Sequence, residues 1–425
     1  MHTRRTSRWL ALPIAGAMVL AACGDDDETT DATDAGGSSV ATAAGADTTA
    51  AGADTTAGAD TTAGADTTAG TGGSAAAGAV DLSADCPATI TIQTDWNPEA
   101  EHGWIYEMVG DDPEIDRDAY AVRGPLVASG GAATGVDIEV RTGGPAIGFQ
   151  TVTSQLYADD DILLGYVYTD EGIQNSAEFP TVAIMAGMEK NPQMIMWDPE
   201  TYPDIETIED IGEEGILVRY FGGAAYMDYF TQTGVLSPEQ VDGSYDGTPA
   251  NFVAAEGADA QQGFGSAEPY VYANEVPEWM KPIEYAYIND AGWENYAESI
   301  ATKPENIETY AACFELLVPI IQQSAVDYLA DPAETNTLII EAVDTFQTGW
   351  VYNEGVAEYA VQTMLDDGLM SNGPDETIGN FDLDRVNGLI EKAIPVYEAL
   401  GQTPPDGLTA EDIVTNEFID ESIGL

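Results

Sequence analysis

The stretch TDWNPEAEHGWIY, residues 94–106, brings together side chains whose types could do chemistry. It follows a run with strand-like alternation and contains a tryptophan, a proline, several acids and a histidine. His102 is one of two histidines in the chain, and the other is His2 at the extreme N-terminus. An imidazole placed here could act as a general base, ligate a metal, form part of a binding surface, or simply pack as a structural residue.

The remaining sequence supplies no partners for catalysis at His102. A Ser-His-Asp or Cys-His arrangement would have to use this residue. The sequence contains no G-x-S-x-G elbow, no H-E-x-x-H and no Cys/His cluster with zinc spacing. The glycine-rich SGGAATG, residues 129–135, lacks the G-K-[ST] of a phosphate-binding loop. We therefore expect no enzyme, no catalytic residue, no metal and no cofactor, although the many carboxylates leave an oxygen-ligated Ca²⁺ site open.

The chain is extremely acidic, with 75 Asp and Glu against 12 Lys and Arg in 425 residues. Contacts to phosphates need a basic face, so nucleic-acid binding is excluded. Acidic blocks can indicate disorder. The part after residue 86 is nevertheless rich in Trp, Tyr, Ile and Val, which predicts a folded protein with a solvated acidic surface, typical of the acidic proteome of marine or salt-adapted bacteria.

The first 22 residues have the layout of a secretory signal peptide: three arginines, a short apolar run, and small residues before Cys23. The apolar run is too short to span a membrane. LAACG, residues 20–24, resembles a bacterial lipobox. That resemblance implies cleavage before Cys23, diacylglycerol on its sulfur, and a lipid anchor on the extracytoplasmic face of the cell membrane. The alternative is an ordinary signal peptide.

Residues 23–85 read as a disordered Ala/Gly/Asp/Thr tether. GADTTA repeats start at residues 45, 52, 58 and 64, without any aromatic residue. Such a segment cannot bury enough apolar surface to offset the entropy of ordering it. We predict a flexible spacer that holds a domain away from the membrane.

Two cysteines, Cys86 and Cys313, remain once Cys23 is assigned to the lipid. An even remainder in an oxidising compartment favours a disulfide between them. Two buried free thiols are the alternative.

Strand-like and helical segments alternate after residue 86, which predicts an α/β fold with a mainly parallel sheet. The expected strands are 88–96, 136–144, 161–172, 179–189, 215–220 and 281–290, the last returning to the first unit. A helix is expected from Pro98, and others at 148–160, 304–330 with a kink at Pro319, 333–347, 354–367, 382–399 and 409–421. We predict one lobe formed by 86–187 and 288–425, and a second lobe formed by 188–287.

Ligands of such sheets bind beyond the carboxyl ends of the strands. Those ends are DWNPE, TGGP, YTDE, YFGG and GSAEP. They combine aromatic faces, glycine turns and isolated acids, which suits a flat, neutral or amino-bearing small molecule. A lone anion would fit badly unless Arg141 or Arg219 turned inward.

Four segments resemble the thiamine-pyrimidine-precursor-binding branch of the nitrate/sulfonate/taurine ABC-transporter solute-binding proteins. They are TIQTDWNPEAEHGWIY, VDIEVRTGGPAIGFQTVTSQLYADDDILLGYVYTDE, FPTVAIMAGMEKNPQMIMW and GSAEPYVYANEVP. The resemblance covers about residues 88–300 and implies a two-lobed type II periplasmic-binding-protein fold with a cleft between the lobes. Glu99-Ala100-Glu101 before His102, Trp104 after it, and the YVYTDE strand end depart from the family pattern.

Carrying the family's ligand-facing positions onto this sequence implies a set of ligand-binding residues spread over both lobes. They are Trp96, His102, Tyr106, Gly143, Gly144, Thr169, Asp170, Gly222, Gly223 and Glu268. Each also has a plainer interpretation, as a core aromatic, a helix cap, a turn or a solvated acid.

The resemblance implies a monomeric, lipid-anchored solute-binding protein that captures a thiamine-pyrimidine-like or other nitrogen-containing ring compound by lobe closure. Its partners would be an ABC permease and an ATPase. The alternatives are a protein for sulfonate, taurine or another solute, a surface sensor or adhesion protein, and an enzyme similar to thiamine-pyrimidine synthases. Those synthases use a pyridoxal-phosphate lysine and a cysteine-rich metal motif. The four lysines here lie away from the D-W-x-P stretch, and no such motif is present.

Overall fold

The computed structural model describes residues 80–373 and 375–425 of the chain. They form a mixed α/β structure with one seven-stranded and one five-stranded sheet, flanked by helices. The predicted α/β class is therefore confirmed. The predicted signal peptide, the lipidation site Cys23 and the tether up to residue 79 lie outside the described residues.

The strands are numbered here in chain order. They are β1 Thr89–Gln93, β2 Glu114–Asp116, β3 Ala121–Ala128, β4 Ala132–Arg141, β5 Ile162–Val167, β6 Val182–Met185, β7 Gln193–Trp197, β8 Val218–Arg219, β9 Val241–Asp242, β10 Ala260–Phe264, β11 Glu284–Tyr287 and β12 Ser299–Thr302.

The α-helices are numbered in the same way. They are α1 Gly103–Tyr106, α2 Val152–Ala158, α3 Thr169–Asn175, α4 Ile208–Glu214, α5 Ala225–Thr233, α6 Ala250–Ala254, α7 Glu268–Asn274, α8 Pro304–Thr309, α9 Ala311–Ala330, α10 Ala333–Phe346, α11 Glu354–Asp366, α12 Leu383–Ala399 and α13 Ala410–Ile413. Short 3-10 helices cover Ala100–His102, Ser129–Gly131 and Gly144–Ile147.

The seven-stranded sheet has the order β2-β3-β4-β1-β5-β12-β6. β1 lies at its centre and pairs in parallel with both β4 and β5. The β-branched residues of its TITIQ sequence suit a central strand with both faces covered. Because β1, β4 and β5 run the same way, the segments that follow them emerge at one edge of the sheet.

The five-stranded sheet has the order β11-β7-β10-β8-β9. β8 pairs in parallel with β9 and β10, whereas β7 is antiparallel to β10 and β11. The segments that follow β8 and β10 therefore also share one edge.

The chain visits the five-stranded sheet between two visits to the seven-stranded one. It leaves after β6, forms β7 to β11 in the second sheet, and returns to the first sheet as β12. The predicted lobe boundaries at 187/188 and 287/288 fall in these two connections. The division into lobes itself stays a prediction.

The prediction of a mainly parallel sheet is wrong. In the seven-stranded sheet only two of the six strand pairings, β1 with β4 and β1 with β5, are parallel. Two features account for the difference. An antiparallel hairpin of β2 and β3 precedes β4, and β12 enters antiparallel between β5 and β6. The predicted strand 281–290 contains β11, which pairs with β7 in the second sheet, so the strand that returns is β12.

Several predicted boundaries also change. The strand predicted at 161–172 ends at Val167, because Asp170 and Glu171 lie in the first turn of α3, where acids favour a helix N-terminus. The helix expected from Pro98 is a 3-10 turn followed by the four residues of α1. The helix predicted at 409–421 is only α13.

The tether also ends earlier than predicted. Leu82 is fully buried, and its N–H donates to the carbonyl of Thr134 at 2.8 Å. The folded part therefore includes residues 80–85, which the composition had assigned to the tether.

The long apolar helix α9 supplies a large part of the core. Phe314, Leu317, Val318 and Ile321 are fully buried. α9 contains Pro319 in its interior, and the single helix predicted here is divided at Tyr310 into α8 and α9. Over 80–373 and 375–425, no helix combines the length and apolarity that a membrane crossing needs.

Cys86 and Cys313 are joined, with an S–S distance of 2.07 Å. The bond links the segment before β1 to α9, which are separated by 227 residues of sequence. A cross-link over so long a loop restricts the unfolded chain strongly.

We predict that replacing both cysteines, Cys86→Ser with Cys313→Ser, lowers the free energy of unfolding by about 2–5 kcal/mol, because the unfolded chain regains its loop entropy. Urea unfolding under oxidising conditions measures this. Cys23→Ser is the matched control and should leave the transition midpoint unchanged. Equal midpoints for the double variant and the control would contradict the prediction.

Candidate functional site

A cavity of about 340 Å³ lies between residues carried by the two sheets. Four of the five strand ends singled out in the sequence reach it: DWNPE after β1, YTDE after β5, YFGG after β8 and GSAEP after β10. The TGGP end after β4 does not line it. The cavity exists because parallel strands in each sheet present their carboxyl ends to the same side.

Eight aromatic side chains line the cavity, and both sheets contribute to them. They are Trp96, Tyr168, Phe221, Tyr226, Tyr245, Phe264, Trp350 and Tyr397. Trp96 meets Trp350 edge to face, with ring centroids 6.2 Å apart. Phe221 and Tyr245, which flank β9, lie 4.8 Å apart. Aromatic surfaces supplied from two sides suit a flat ring or an organic cation.

Six carboxyl groups line the same cavity. They are Asp95, Glu99, Glu101, Asp170, Glu171 and Glu268. Glu101 accepts a hydrogen bond from the Ser266 hydroxyl, which joins the segment after β1 to the segment after β10. Burial raises the pKa of several of these groups, because a carboxylate is poorly solvated in the cavity.

Burial raises the pKa of Glu171 to about 7 and that of Glu268 to about 7. Burial also raises the pKa of Glu99 well above its usual range, and repulsion from Glu101 and Glu298 adds to the effect. The pKa values of Glu101 and Asp170 are raised for the same primary reason. Burial in this cavity therefore favours the protonated carboxyl groups, and a positive charge placed among them would favour the ionised form.

Within the described part of the chain, no Arg, Lys or His lines the cavity. The two arginines considered from the sequence are held elsewhere by acids. Arg141 contacts Glu139 and, at 2.8 Å, Asp159. Arg219 contacts Asp242 and Asp259, both at 2.8 Å. Neither arginine offsets the negative charge of the cavity.

Trp96 lines the cavity, and the glycine pair after β4 fixes its position. The N–H groups of Gly143 and Gly144 donate to the carbonyls of Trp96 and Asp95, at 2.9 and 2.8 Å. A Cβ on Gly143 would lie 2.3 Å from the Thr94 carbonyl oxygen, and one on Gly144 would lie 2.8 Å from the Trp96 ring. These two residues were predicted to contact ligand through their N–H groups. In the structure those groups are engaged with the turn, and the glycines position Trp96.

His102 and Tyr106 lie beneath the cavity and not on its wall. His102 is fully buried, and its Nε2 lies 3.1 Å from Oδ1 of Asp95, which does line the cavity. Tyr106 is 1% exposed. The structure therefore brings Trp96 to the cavity and leaves these two predicted residues behind it.

Asp170 lines the cavity and is held by two donors. The Asn295 amide and the Trp293 indole N–H donate to its two oxygens at 2.8 and 3.1 Å. Thr169 is buried behind it, where its hydroxyl accepts from the Tyr296 N–H at 2.9 Å. This network fixes the start of α3 as one wall of the site.

The second sheet contributes Gly223 and Glu268 from the predicted set. Gly223 lines the cavity in a left-handed conformation, φ 96°, whereas Gly222 does not line it. Glu268 accepts from the Phe264 N–H at 2.7 Å, across the turn between β10 and α7. Four of the ten predicted residues, Trp96, Asp170, Gly223 and Glu268, thus reach one cavity.

Sequence reasoning missed most of the wall. Asp95, Glu99 and Glu171 stood inside the strand ends that were quoted, but acids are so abundant in this chain that none was distinctive. Trp350 and Tyr397 lie more than 170 residues beyond the end of α3, in the loop between α10 and α11 and in α12, without a ligand signal in the sequence. Gln262 lies in β10. Its side-chain oxygen accepts hydrogen bonds from the Phe221 N–H at 3.0 Å and from the Tyr226 hydroxyl at 2.7 Å.

No protein-family model matches the sequence, and no curated protein matches it. Among solved structures, the ligand binding component of an ABC-type import system from Staphylococcus aureus, with zinc bound, is similar at 10% identity. That match covers 79% of this chain and 99% of that chain, with a TM-score of 0.47.

Two further structures are similar to a comparable degree. The periplasmic aliphatic sulphonate binding protein SsuA from Escherichia coli is 15% identical, covering 79% of this chain and 92% of that chain, with a TM-score of 0.48. The periplasmic nitrate-binding protein NrtA from Synechocystis PCC 6803 is 11% identical, covering 78% and 87%, with a TM-score of 0.45. At these values the similarities assign neither a family nor a ligand to this chain.

We predict that Gly143→Ala lowers the free energy of unfolding by about 1–3 kcal/mol, because the new methyl group would overlap the backbone of the turn that carries Trp96. Urea unfolding measures the change. Gly388→Ala in α12 is the matched control, since its methyl group would meet nothing within 4 Å. The same stability for Gly143→Ala as for the unchanged protein would contradict the account of this turn.

Proposed function

We propose that this protein is the extracytoplasmic solute-binding component of an ABC importer and that it captures a small organic cation. A nitrogen-containing ring such as an aminopyrimidine is the favoured class. The lipid on Cys23, the tether and the permease and ATPase partners belong to the same proposal, which the lipobox and the sequence resemblance support.

One observation carries the proposal: an aromatic cavity with six carboxyl groups and, among the described residues, no basic side chain on its wall. Its volume of about 340 Å³ is at the lower end of small-molecule sites. Buried carboxylates repel one another, and a positive charge placed among them relieves both the repulsion and the poor solvation.

The aromatic residues add a preference for shape. A flat ring gains contact area between Trp96 on one side and the Phe221–Tyr245 pair on the other, and a cation is attracted to the ring faces. A sulfonate, taurine or nitrate would meet repulsion from the acids without a compensating arginine. The charge distribution therefore favours the nitrogen-ring class over the anionic alternatives.

Both sheets supply the wall, so a solute bound here would contact both at once. A ligand that binds both sides best when they approach shifts the population towards the closed form. The aromatic and carboxyl groups of both sheets would thus bind the solute together.

Calorimetric titration of the full-length protein in detergent, with chelator present, tests the solute class. We expect a heat of binding for an N-methylated aminopyrimidinium and none for methanesulfonate, taurine or nitrate. Trp96→Ala and Glu268→Gln should each weaken the affinity roughly 10-fold or more, since a lost stacking or charge contact contributes about 1–2 kcal/mol. The exposed Glu308→Gln is the control and should bind normally. Binding of the anions without binding of the cation would refute the proposed class.

The affinity for a permanent cation should rise with pH. Burial raises the pKa values of Glu171 and Glu268 to about 7, so both groups are largely neutral at pH 6 and charged at pH 8. Since the cation prefers the carboxylates, its binding releases protons and its affinity increases on the order of 10-fold over this range. Calorimetry in buffers with different ionisation enthalpies measures both the number of protons released and the affinity. An affinity that is flat or falls with pH would contradict the charge-based account.

A further inference from the structure

Three donor groups converge at the floor of the cavity, two of them buried beneath it and the third, Asp95, on its wall. Asp95, His102 and Glu298 each offer one oxygen or nitrogen atom, and these three atoms lie within 4.8 Å of one another. His102 and Glu298 are 0% and 2% exposed, whereas the Asp95 side chain is 19% exposed and reaches the cavity. The cluster joins the segment after β1 to the residue that precedes β12.

Glu298 contributes a buried oxygen without a partner to this cluster. Its Oε2 makes no hydrogen bond to the described protein atoms. A buried carboxyl oxygen without a partner calls for a further group that binds it.

His102 directs its Nε2 towards Asp95, at 3.1 Å from Oδ1. Two ligands each about 2.1 Å from one metal ion lie roughly 3.0–3.4 Å apart at octahedral or tetrahedral angles. The Asp95–His102 separation is compatible with two adjacent ligands of one ion, and an oxygen of Glu298 lies within 4.8 Å of both donor atoms.

We propose that Asp95, His102 and Glu298 bind one divalent transition-metal ion beneath the solute cavity. One imidazole nitrogen with two carboxylate oxygens is a donor set that suits Zn²⁺ and its neighbours better than Mg²⁺ or Ca²⁺, which take oxygen ligands. Three protein ligands leave a coordination position for water or for a donor atom of a molecule in the cavity. The proposal of a metal site does not rest on the proposed solute or on the transport role, although Asp95 belongs to both sites.

This site could not be recognised from local sequence. His102 was set aside as a metal ligand because no partner stood at ligand spacing, yet Glu298 lies 196 residues further along the chain. The central position of β1 in the sheet, with β12 one strand beyond β5, brings the two segments together.

Cobalt binding to the full-length protein, purified in detergent and freed of metal with a chelator, tests the proposal. We expect one equivalent of Co²⁺ to produce visible d–d absorption, and Zn²⁺ to displace it. Glu298→Gln and His102→Gln should each weaken this equivalent at least 10-fold. Glu107→Gln is the matched control, because it removes a half-buried carboxylate next to α1 that is not a donor, and it should change the affinity less than threefold.

Circular dichroism melting of the metal-free variants shows whether each one folds. Should Glu298→Gln fail to fold, Asp95→Asn, at the partly exposed donor, replaces it and should show the same loss. X-ray absorption at the zinc edge should show a single imidazole, since His102 is the only histidine after residue 2. Absence of a stoichiometric Co²⁺ equivalent, or an equivalent retained in all the donor variants, would overturn the proposal.

Discussion

The repulsion among six carboxyl groups around one cavity is the constraint on which the rest of this site depends. Water solvates these groups poorly there, and no basic side chain on the described wall offsets them. The native structure tolerates the cluster by raising the pKa values of its members and by giving some of them donors, such as Asn295 and Trp293 for Asp170. The carboxyl groups that have no basic partner favour a positively charged ligand, and this preference is the physical basis of the proposed ligand class.

Backbone pairing and close turn contacts outside the cavity fix the segments that carry these carboxyl groups. β1 is central and fully paired, so the turn that follows it is fixed on both sides. Gly143 and Gly144 allow a second turn to approach that backbone closely enough to hold Trp96. The arginines that could have neutralised the site, Arg141 and Arg219, are held in ion pairs with other acids. Among the described residues, the cavity wall is thus left acidic, with the nearby arginines paired outside it.

The sequence was informative where local pattern determines structure. The alternating pattern of β1 and the long apolar helix α9 are recognisable from local sequence. Of the five strand ends that the carboxyl-end rule singles out, four line one cavity. Prediction from the sequence failed where pairing is set by distant residues. Nothing in the local pattern of residues 299–302 shows that this strand would enter antiparallel between β5 and β6.

The same distinction applies to individual site residues. Trp96 and Glu268 were named because the family resemblance falls on the strand ends DWNPE and GSAEP, which contain them. Trp350 and Tyr397 could not be found, because their place at the cavity depends on how helices after residue 346 pack back onto the sheets. His102 was singled out because histidine is rare in this chain, but it was predicted to face the ligand. The structure places it behind the cavity wall, near Asp95 and Glu298.

The central claim is that charge determines which molecules the cavity accepts. Equilibrium dialysis of the full-length protein against a mixture of small cations, neutral rings, sulfonates and carboxylates of similar size, followed by mass spectrometry of what the denatured protein releases, tests it directly. The account predicts that nitrogen-containing cations are enriched over all the other classes. Enrichment of sulfonates or carboxylates over cations would contradict it.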